Sequence, residues 1–376
     1  MEKAAMARAI RHGSSLPEEI VVWEILVRLP PKSLLRCRSV CHAWCRATSA
    51  RNFLLAHHGR QPSLPVVCAH ECLGRDIFAF DRRAAHHQLQ PVARLDGPFG
   101  LAASCDGLLI VSMYGVDGYS FSVCNPATRQ LAPLLQLSDF RFFSVSLGMY
   151  LHRPTGEYRL LLHRRTYKGW TGSATEFIGG PQPTPMCFNE CVLLRDNLHW
   201  YPVHDRSGNN PQTKSKPVIV FNTIAESFWQ MHAPVVPINP YMFEMDGTLA
   251  MYTCNRVTDI VDIWVLQDYK CEAWEHKYRV KLPFSEISGY FGEREDFWYV
   301  RVGSADGDVH LLIHYDQSLF CVDTDGKLVK KFHLYGQELH ACQLRLKQTL
   351  VQHNFFRVLG GYDVSTSPFS TVSISL

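Results

Sequence analysis

Cys37, Cys41 and Cys45 recur at every fourth residue, with His42 among them. Thiolates with an imidazole are the raw material of a zinc site, which needs four converging donors. Three cysteines on one helical stripe with Trp44 and Thr48 read more simply as small apolar residues of a core or an interface. Cys68, His70 and Cys72 alternate as one face of a strand does, and they lack a fourth ligand. No metal is therefore expected at either place. For bond-making chemistry the chain has no Gly-x-Ser-x-Gly, no His-Glu-x-x-His and no glycine-rich phosphate loop. The pairs His57-His58 and His86-His87 read as a helix end and a turn, so no catalytic residue and no cofactor is expected. The run His163-Arg164-Arg165-Thr166-Tyr167-Lys168-Gly169-Trp170 comes nearest to a nucleic-acid patch. It reads as the end of a strand at Arg164 and Arg165 followed by a solvated loop, and no nucleic-acid partner is expected.

The elements that carry these residues fall into two textures. From Leu16 to Trp44 the sequence is LPEEIVVWEILVRLPPKSLLRCRSVCHAW, in which Leu16 and Ile20 through Leu29 leave almost no polar face. A helix that is apolar all round must be covered on every side. A segment of about forty-five residues rarely supplies that cover by itself, so a docked partner is expected. Ser15 and Glu18 suit a capping box with Pro17 in the first turn. Pro30-Pro31 ends the first helix and starts the second, and the second and third helices are expected from Lys32 to about Leu55. The stretch HHGRQPSLP (57–65) reads as a boundary. Residues 1–60 hold ten Lys or Arg against four Asp or Glu, while the whole chain carries a formal net charge of +3. The excess at the N-terminal end suits an acidic partner.

Leu16-Pro17-Glu18-Glu19-Ile20, then Ile25-Leu26-x-x-Leu29-Pro30-x-Lys32-x-Leu34-x-Arg36, then Ser39-Val40-Cys41-x-x-Trp44, resemble an F-box. Cys45 departs from that pattern, which usually has a basic residue after the Trp, and Arg46 follows it. The resemblance implies a small helical bundle that binds the Skp adaptor of an SCF-type ubiquitin ligase. It implies as adaptor-binding residues Leu16, Pro17, Glu18, Ile20, Ile25, Leu26, Leu29, Pro30, Lys32, Leu34, Val40, Cys41 and Trp44, divided between that interface and the module's own core. Trp44→Ala would cost about 3–5 kcal/mol if Trp44 is core.

After residue 64 short strand-like runs alternate with turn signals. A unit beginning at Asp106-Gly107, Asp196-Asn197, Asp246-Gly247 and Asp306-Gly307 continues as strand, second strand and aromatic. Another pair of strands is expected across Arg153-Pro154-Thr155-Gly156. Such repeats predict a β-propeller of about six blades, kelch-like in style, because stacking blades in a ring covers both faces of each. The fold class is thus a multidomain α plus all-β chain. It is divided into a disordered tail (1–13), a helical F-box (14–57), a linker (58–63) and a propeller (64–376). Val123-Cys124-Asn125-Pro126-Ala127-Thr128-Arg129 and Pro154-Thr155-Gly156-Glu157-Tyr158-Arg159 resemble phrases of the F-box-associated domain of plant F-box proteins. The two longest loops are expected at 163–186 and 204–216. Loops on a rigid propeller are where recognition usually sits, which makes Tyr167, Trp170 and Phe177 candidate substrate contacts.

Thirteen cysteines without a dense framework, no Asn-x-Ser/Thr site and no apolar leader before Gly13 suit the cytoplasm or nucleus. Glu24, Arg28 and Pro30-Pro31 interrupt the apolar helix, so no membrane span is expected. The expected role is the substrate-recognition subunit of an SCF-type ligase. Its partners would be the Skp adaptor, through it a cullin and a RING protein, and a target protein on the propeller. Two alternatives stand beside it: a Skp-binding protein outside any cullin ligase, and a propeller enzyme or glycan-binding lectin.

Overall fold

The computed structural model describes residues 16–71, 74–81, 88–96, 99–115, 118–137, 142–168, 172–176, 187–188, 191–203, 216–236, 240–289, 298–305, 307–353, 355–358 and 372–374. The chain divides into two compact units, Met1–Pro62 with Lys347–Gln352, and Ser63–Leu346 with His353–Leu376. The first is helical, and the second is built of β-strands with two short helices, Phe284–Ser288 and Phe355–Val358.

The helical unit opens at Pro17 with one α-turn, Glu18–Ile20, which widens to a π-turn over Val21–Ile25 and tightens to a 3₁₀ turn over Leu26–Arg28. No side chain caps this start, and Ser15 of the expected capping box lies outside the described residues. The shift through π and 3₁₀ geometry sorts an all-apolar stretch into two sides. Val22, Leu26 and Val27 are buried, while Leu16, Ile20 and Ile25 are exposed. Pro31 begins the next helix, Pro31–Cys37, at the position where its missing N–H leaves nothing unpaired. Where the sequence suggested two helices from Lys32 to about Leu55, three are present, the others being His42–Ser49 and Arg51–Arg60. Cys41 is extended and caps His42–Ser49, its Sγ accepting the Trp44 N–H at 3.4 Å. Cys41 therefore leaves the helical stripe on which the sequence placed it with Cys37 and Cys45. The last helix continues to Arg60, into the stretch read as boundary.

The β unit is a propeller with five regular blades. The closing blade joins Glu338–Leu346 to Leu64–Glu71, Gly74–Asp81 and Gln88–Asp96, so strands from opposite ends of the unit meet in one sheet. The second blade is Phe99–Cys105, Leu108–Gly115, Gly118–Asn125 and Gln130–Leu137. The third is Val192–Leu194, Asn197–Trp200, Val218–Asn222 and Ser227–Met231. The fourth is Tyr241–Met245, Thr248–Asn255, Ile260–Asp268 and Ala273–Lys281, and the fifth Trp298–Ala305, Asp308–Tyr315, Ser318–Val322 and Leu328–His333. The expected count of about six is not confirmed: five regular four-stranded blades are present among the described residues. The sheet between the second and third blades departs from the pattern because Glu157–Lys168 takes three partners, Phe142–His152, Gly172–Glu176 and Val372–Ile374.

The turn signals act through backbone geometry. Asp106-Gly107 and Asp246-Gly247 both take positive φ, so Cys105 pairs Leu108 and Met245 pairs Thr248 across two-residue hairpins. At the third unit the turn is Arg195-Asp196, one residue earlier than the sequence suggested, and Asn197 already pairs Leu194. A second repeat is chemical. Asn125, Asn222 and Asp268 each end the third strand of a blade, Asp323 directly follows one, and each turns its Oδ1 to accept backbone N–H groups of the following loop, as in Asn222 with Ile224 (3.0 Å) and Ala225 (2.7 Å). The middle strands are buried on both faces, which is why Val218–Asn222 and Asp308–Tyr315 read as near-continuous apolar runs. Between the fourth and fifth blades Tyr252, Ile263, Val302, Leu311 and Ile313 share one core. Arg345 ties four blades together: Nη2 donates to Ser63 O (2.6 Å), Nη1 to Ser304 O, its carbonyl accepts Ser104 Oγ (2.6 Å), and Nε lies 3.4 Å from Glu244.

Candidate functional site

The helical unit holds its core with few residues. Leu34 and Phe53 are fully buried, and Trp23 packs on Phe53 with ring centroids 5.6 Å apart. His57, from the last helix, caps the end of another one: its Nε2 meets the carbonyl of Leu29 at 2.8 Å, and Gln61 Nε2 donates to the same carbonyl at 3.1 Å. That oxygen ends the first helix immediately before Pro30. Burial pushes the His57 imidazole below its ordinary pKa, with the Leu29 carbonyl opposing. Arg38 donates to Thr48 through Nη2 to the carbonyl (2.7 Å) and Nε to Oγ1 (3.2 Å), locking two helices at a corner.

Around this core, Leu16, Ile20, Ile25, Leu35 and Val40 stay exposed, Val40 at 65%. Of the thirteen residues singled out in the sequence, Leu26 and Leu34 are buried and belong to the core. Leu29 and Trp44 are half-buried, and Leu16, Pro17, Glu18, Ile20, Ile25, Pro30, Lys32, Val40 and Cys41 are exposed. Leu35 was not singled out. Its signal was present, since it sits about 100° round a short helix from the buried Leu34 and so leaves the buried side. An exposed, mostly apolar set flanked by Lys32, Arg28 and Arg36 can bury against a partner surface that is apolar with acidic surroundings.

On the propeller, the run read as strand end and loop is a longer strand. Glu157–Lys168 continues through Arg164, Arg165 and Tyr167 and pairs with Gly172–Glu176, Tyr167 lying opposite Ser173. β-Branched and aromatic residues, Thr166 and Tyr167, favour that extension over a loop. Trp170 and Phe177 lie outside the described residues, as do Cys72, the His86-His87 pair and 204–215 of the second expected loop. Cys68 is buried, with Sγ 3.7 Å from Cys342 Sγ. Among the described residues the side chains whose donor atoms converge as a metal site would require are His314, Glu338 and His340, which the sequence did not single out. No helix among the described residues is long and apolar enough to cross a membrane.

Comparison with known proteins places this geometry. Residues 14–57 match the model of the F-box-like domain. An F-box protein of Arabidopsis thaliana is 23% identical over 304 residues, covering 70% of this chain and 78% of its own. An F-box/kelch-repeat protein of the same plant is 21% identical over 389 residues, covering 93% of this chain and 89% of its own. Among solved structures, a protein from Lactobacillus plantarum superposes with a TM-score of 0.41 at 13% identity, over 72% of this chain and 82% of that one.

Proposed function

We propose, from the premise that this chain carries an F-box-like domain ahead of a β-propeller and has F-box proteins as relatives, that it is the substrate-recognition subunit of an SCF-type ubiquitin ligase. The helical unit docks the Skp adaptor, which links it to a cullin and a RING protein, and the propeller holds a target protein. The observation that carries this reading is the exposure of Leu16, Ile20, Ile25, Leu35, Val40 and Leu55 on a unit whose core is closed around Val22, Leu26, Val27, Leu34, Phe53 and Leu54. In water each such side chain, already partly covered, forgoes part of the about 1.5–3 kcal/mol that full burial contributes, which a docked adaptor would recover.

No residue here makes or breaks a bond in this scheme. The propeller raises the effective concentration of a target lysine near the activated ubiquitin, and rate follows from proximity. Tyr167 on the strand ending at Lys168 is our candidate target contact on the described part of the propeller. The sheet around Glu157–Lys168 would occupy the sixth sector of the ring, a placement supported by Phe142–His152 lying beside Phe99–Cys105 of the second blade. Free thiols at Cys37, Cys41 and Cys45 suit a reducing cytoplasm or nucleus.

The test is calorimetric titration of the full chain with purified Skp adaptor. Leu16→Ala with Ile25→Ala should weaken binding by about a hundredfold or more, since anchors at an interface centre contribute about 2 kcal/mol or more each. Equal affinity would sink the assigned surface. Cullin that fails to co-purify with the adaptor-bound chain would move the protein to an adaptor-binding role outside the ligase.

A further inference from the structure

Two buried histidines of the propeller differ in a way that points to a ligand. His199 is sealed and satisfied: Nδ1 meets the Val192 carbonyl at 3.1 Å and Nε2 the Tyr269 hydroxyl at 2.7 Å. His314, 3% exposed, has no hydrogen-bond partner on either ring nitrogen. A buried polar atom left so is costly, and such atoms ordinarily have a partner. What faces His314 is a carboxylate and a second imidazole. Its Nε2 lies 3.3 Å from Glu338 Oε1, and His340 Nε2 lies 3.4 Å from Oε2 of the same residue. The two imidazoles stack with centroids 4.7 Å apart.

We propose that His314, Glu338 and His340 form a binding site for a zinc-class divalent cation at the seam between the fifth blade and the closing blade. The donor set of two imidazoles and a carboxylate is one that zinc accepts. The spacing fits as well. Ligand bonds of about 2.0–2.2 Å at tetrahedral angles set neighbouring donor atoms about 3.3–3.5 Å apart, and each imidazole nitrogen already has that separation from one oxygen of the carboxylate, His314 from Oε1 and His340 from Oε2. One donor atom from each of the three residues lies within 4.8 Å of the other two, and side-chain rotation on binding would draw them to ligating distance. Tyr299 supplies the support that metal-bound histidines usually have. Its hydroxyl meets His340 Nδ1 at 2.6 Å and its ring stacks on His314 at 4.7 Å.

The position gives the site a structural consequence. His314 lies on Asp308–Tyr315 of the fifth blade, and Glu338 and His340 on Glu338–Leu346, the strand that pairs with Leu64–Glu71 to close the ring. A cation there clasps the closing strand to its neighbouring blade, and three protein ligands leave a coordination position for water. A ligand that binds only the folded chain raises its melting temperature.

The experiment is titration of the full chain with Co²⁺, followed by Zn²⁺ competition and thermal melting with and without Zn²⁺. The 13 cysteines make the spectrum decisive, because thiolate ligation adds a sulfur-to-cobalt charge-transfer band that a nitrogen–oxygen site lacks. Expected are d–d absorption without that band, displacement by Zn²⁺, and a Zn²⁺-dependent rise in melting temperature. Glu338→Gln and His314→Asn should each weaken Co²⁺ binding by about tenfold or more, and Tyr299→Phe by about tenfold. His232→Asn, at an exposed histidine paired with Glu272, should leave binding unchanged. Glu338 is half-exposed, so Glu338→Gln keeps the test readable should His314→Asn fail to fold. A thiolate band, no Co²⁺ binding, or affinity equal in the native chain and Glu338→Gln would each overturn the proposal.

Discussion

In the helical unit, Leu16, Ile20, Ile25, Leu35 and Val40 are exposed beside Leu26, Val27 and Leu34, which are sealed. In the propeller the exposed large apolar residues are spread among turns and strand ends, such as Ile224 in the turn after Asn222 and Val257 in the turn after Asn255. Its strand interiors are closed, the blades covering one another around the ring. Among the described residues the short helical unit thus leaves six large apolar side chains exposed, Leu55 included, against eight in the far longer β unit. A small module can be read as incomplete without a partner, whereas a ring of blades is complete as a scaffold and leaves recognition to what it displays.

If the two units are as separate as this contrast suggests, a core deletion in one should leave the other folded. Phe53→Ala, at a fully buried site in the helical unit, should cost about 3–5 kcal/mol. Urea titration should then show early loss of the helical circular-dichroism signal with the near-ultraviolet transition of the propeller unmoved. A single transition shifted for both signals would break the comparison. Arg345→Met is the counterpart in the propeller. It removes donors to Ser63 and Ser304 and an ion pair with Glu244, and should cost about 3 kcal/mol, with the helical signal retained.

The contrast also explains what was legible in the sequence. Hairpin turns were legible because Asp-Gly at φ > 0 is a local requirement, as at Asp106-Gly107 and Asp246-Gly247. The helical unit was legible as a pattern of types, since Leu26 and Leu34 inside and Leu16 and Ile25 outside are all apolar letters. Which of them faced inward was not legible, because the π-turn over Val21–Ile25 breaks the period on which such a reading depends. Ring closure by Glu338–Leu346 was hidden too. Its partner Leu64–Glu71 lies at the other end of the unit, and no local signal encodes so distant a pairing. For the same reason the sequence could not bring His314 and His340 together: each reads alone as a strand residue, and only the stacking of two blades makes them neighbours.

Acidification should test both units by the same mechanism. Burial lowers the pKa of His199 to about 4, against about 6.5 in an unfolded chain. Between those values the unfolded state binds a proton that the folded state refuses. The folded state's advantage is therefore complete above about pH 6.5 and is lost as pH falls toward 4. For His199 the loss between pH 8 and pH 5 is about 2 kcal/mol. His57 in the helical unit is shifted in the same direction by burial. Stability measured from pH 8 to pH 5 should fall in both units, with His199→Gln flattening the profile of the propeller only. A profile unchanged by that substitution would place the acid sensitivity elsewhere.

Smaller effects separate turn chemistry from interface chemistry. Asn222→Ala removes the acceptor for the Ile224 and Ala225 N–H groups and the amide that donates to Asn197 Oδ1 at 3.1 Å. It should cost about 1–2 kcal/mol in the propeller's urea midpoint, with adaptor affinity unchanged. Trp44→Ala should do the reverse. The sequence placed Trp44 as a possible core residue, yet it is half-buried in the structure, its backbone carrying the local bonds to Cys41 and Thr48. Those bonds survive truncation of the ring, so stability should fall by about 1 kcal/mol or less. Adaptor affinity should drop by about tenfold or more, as expected where an aromatic side chain anchors an interface. A loss of about 3–5 kcal/mol with affinity intact would return Trp44 to the core and shift the docking surface toward Leu16, Ile20 and Ile25 alone.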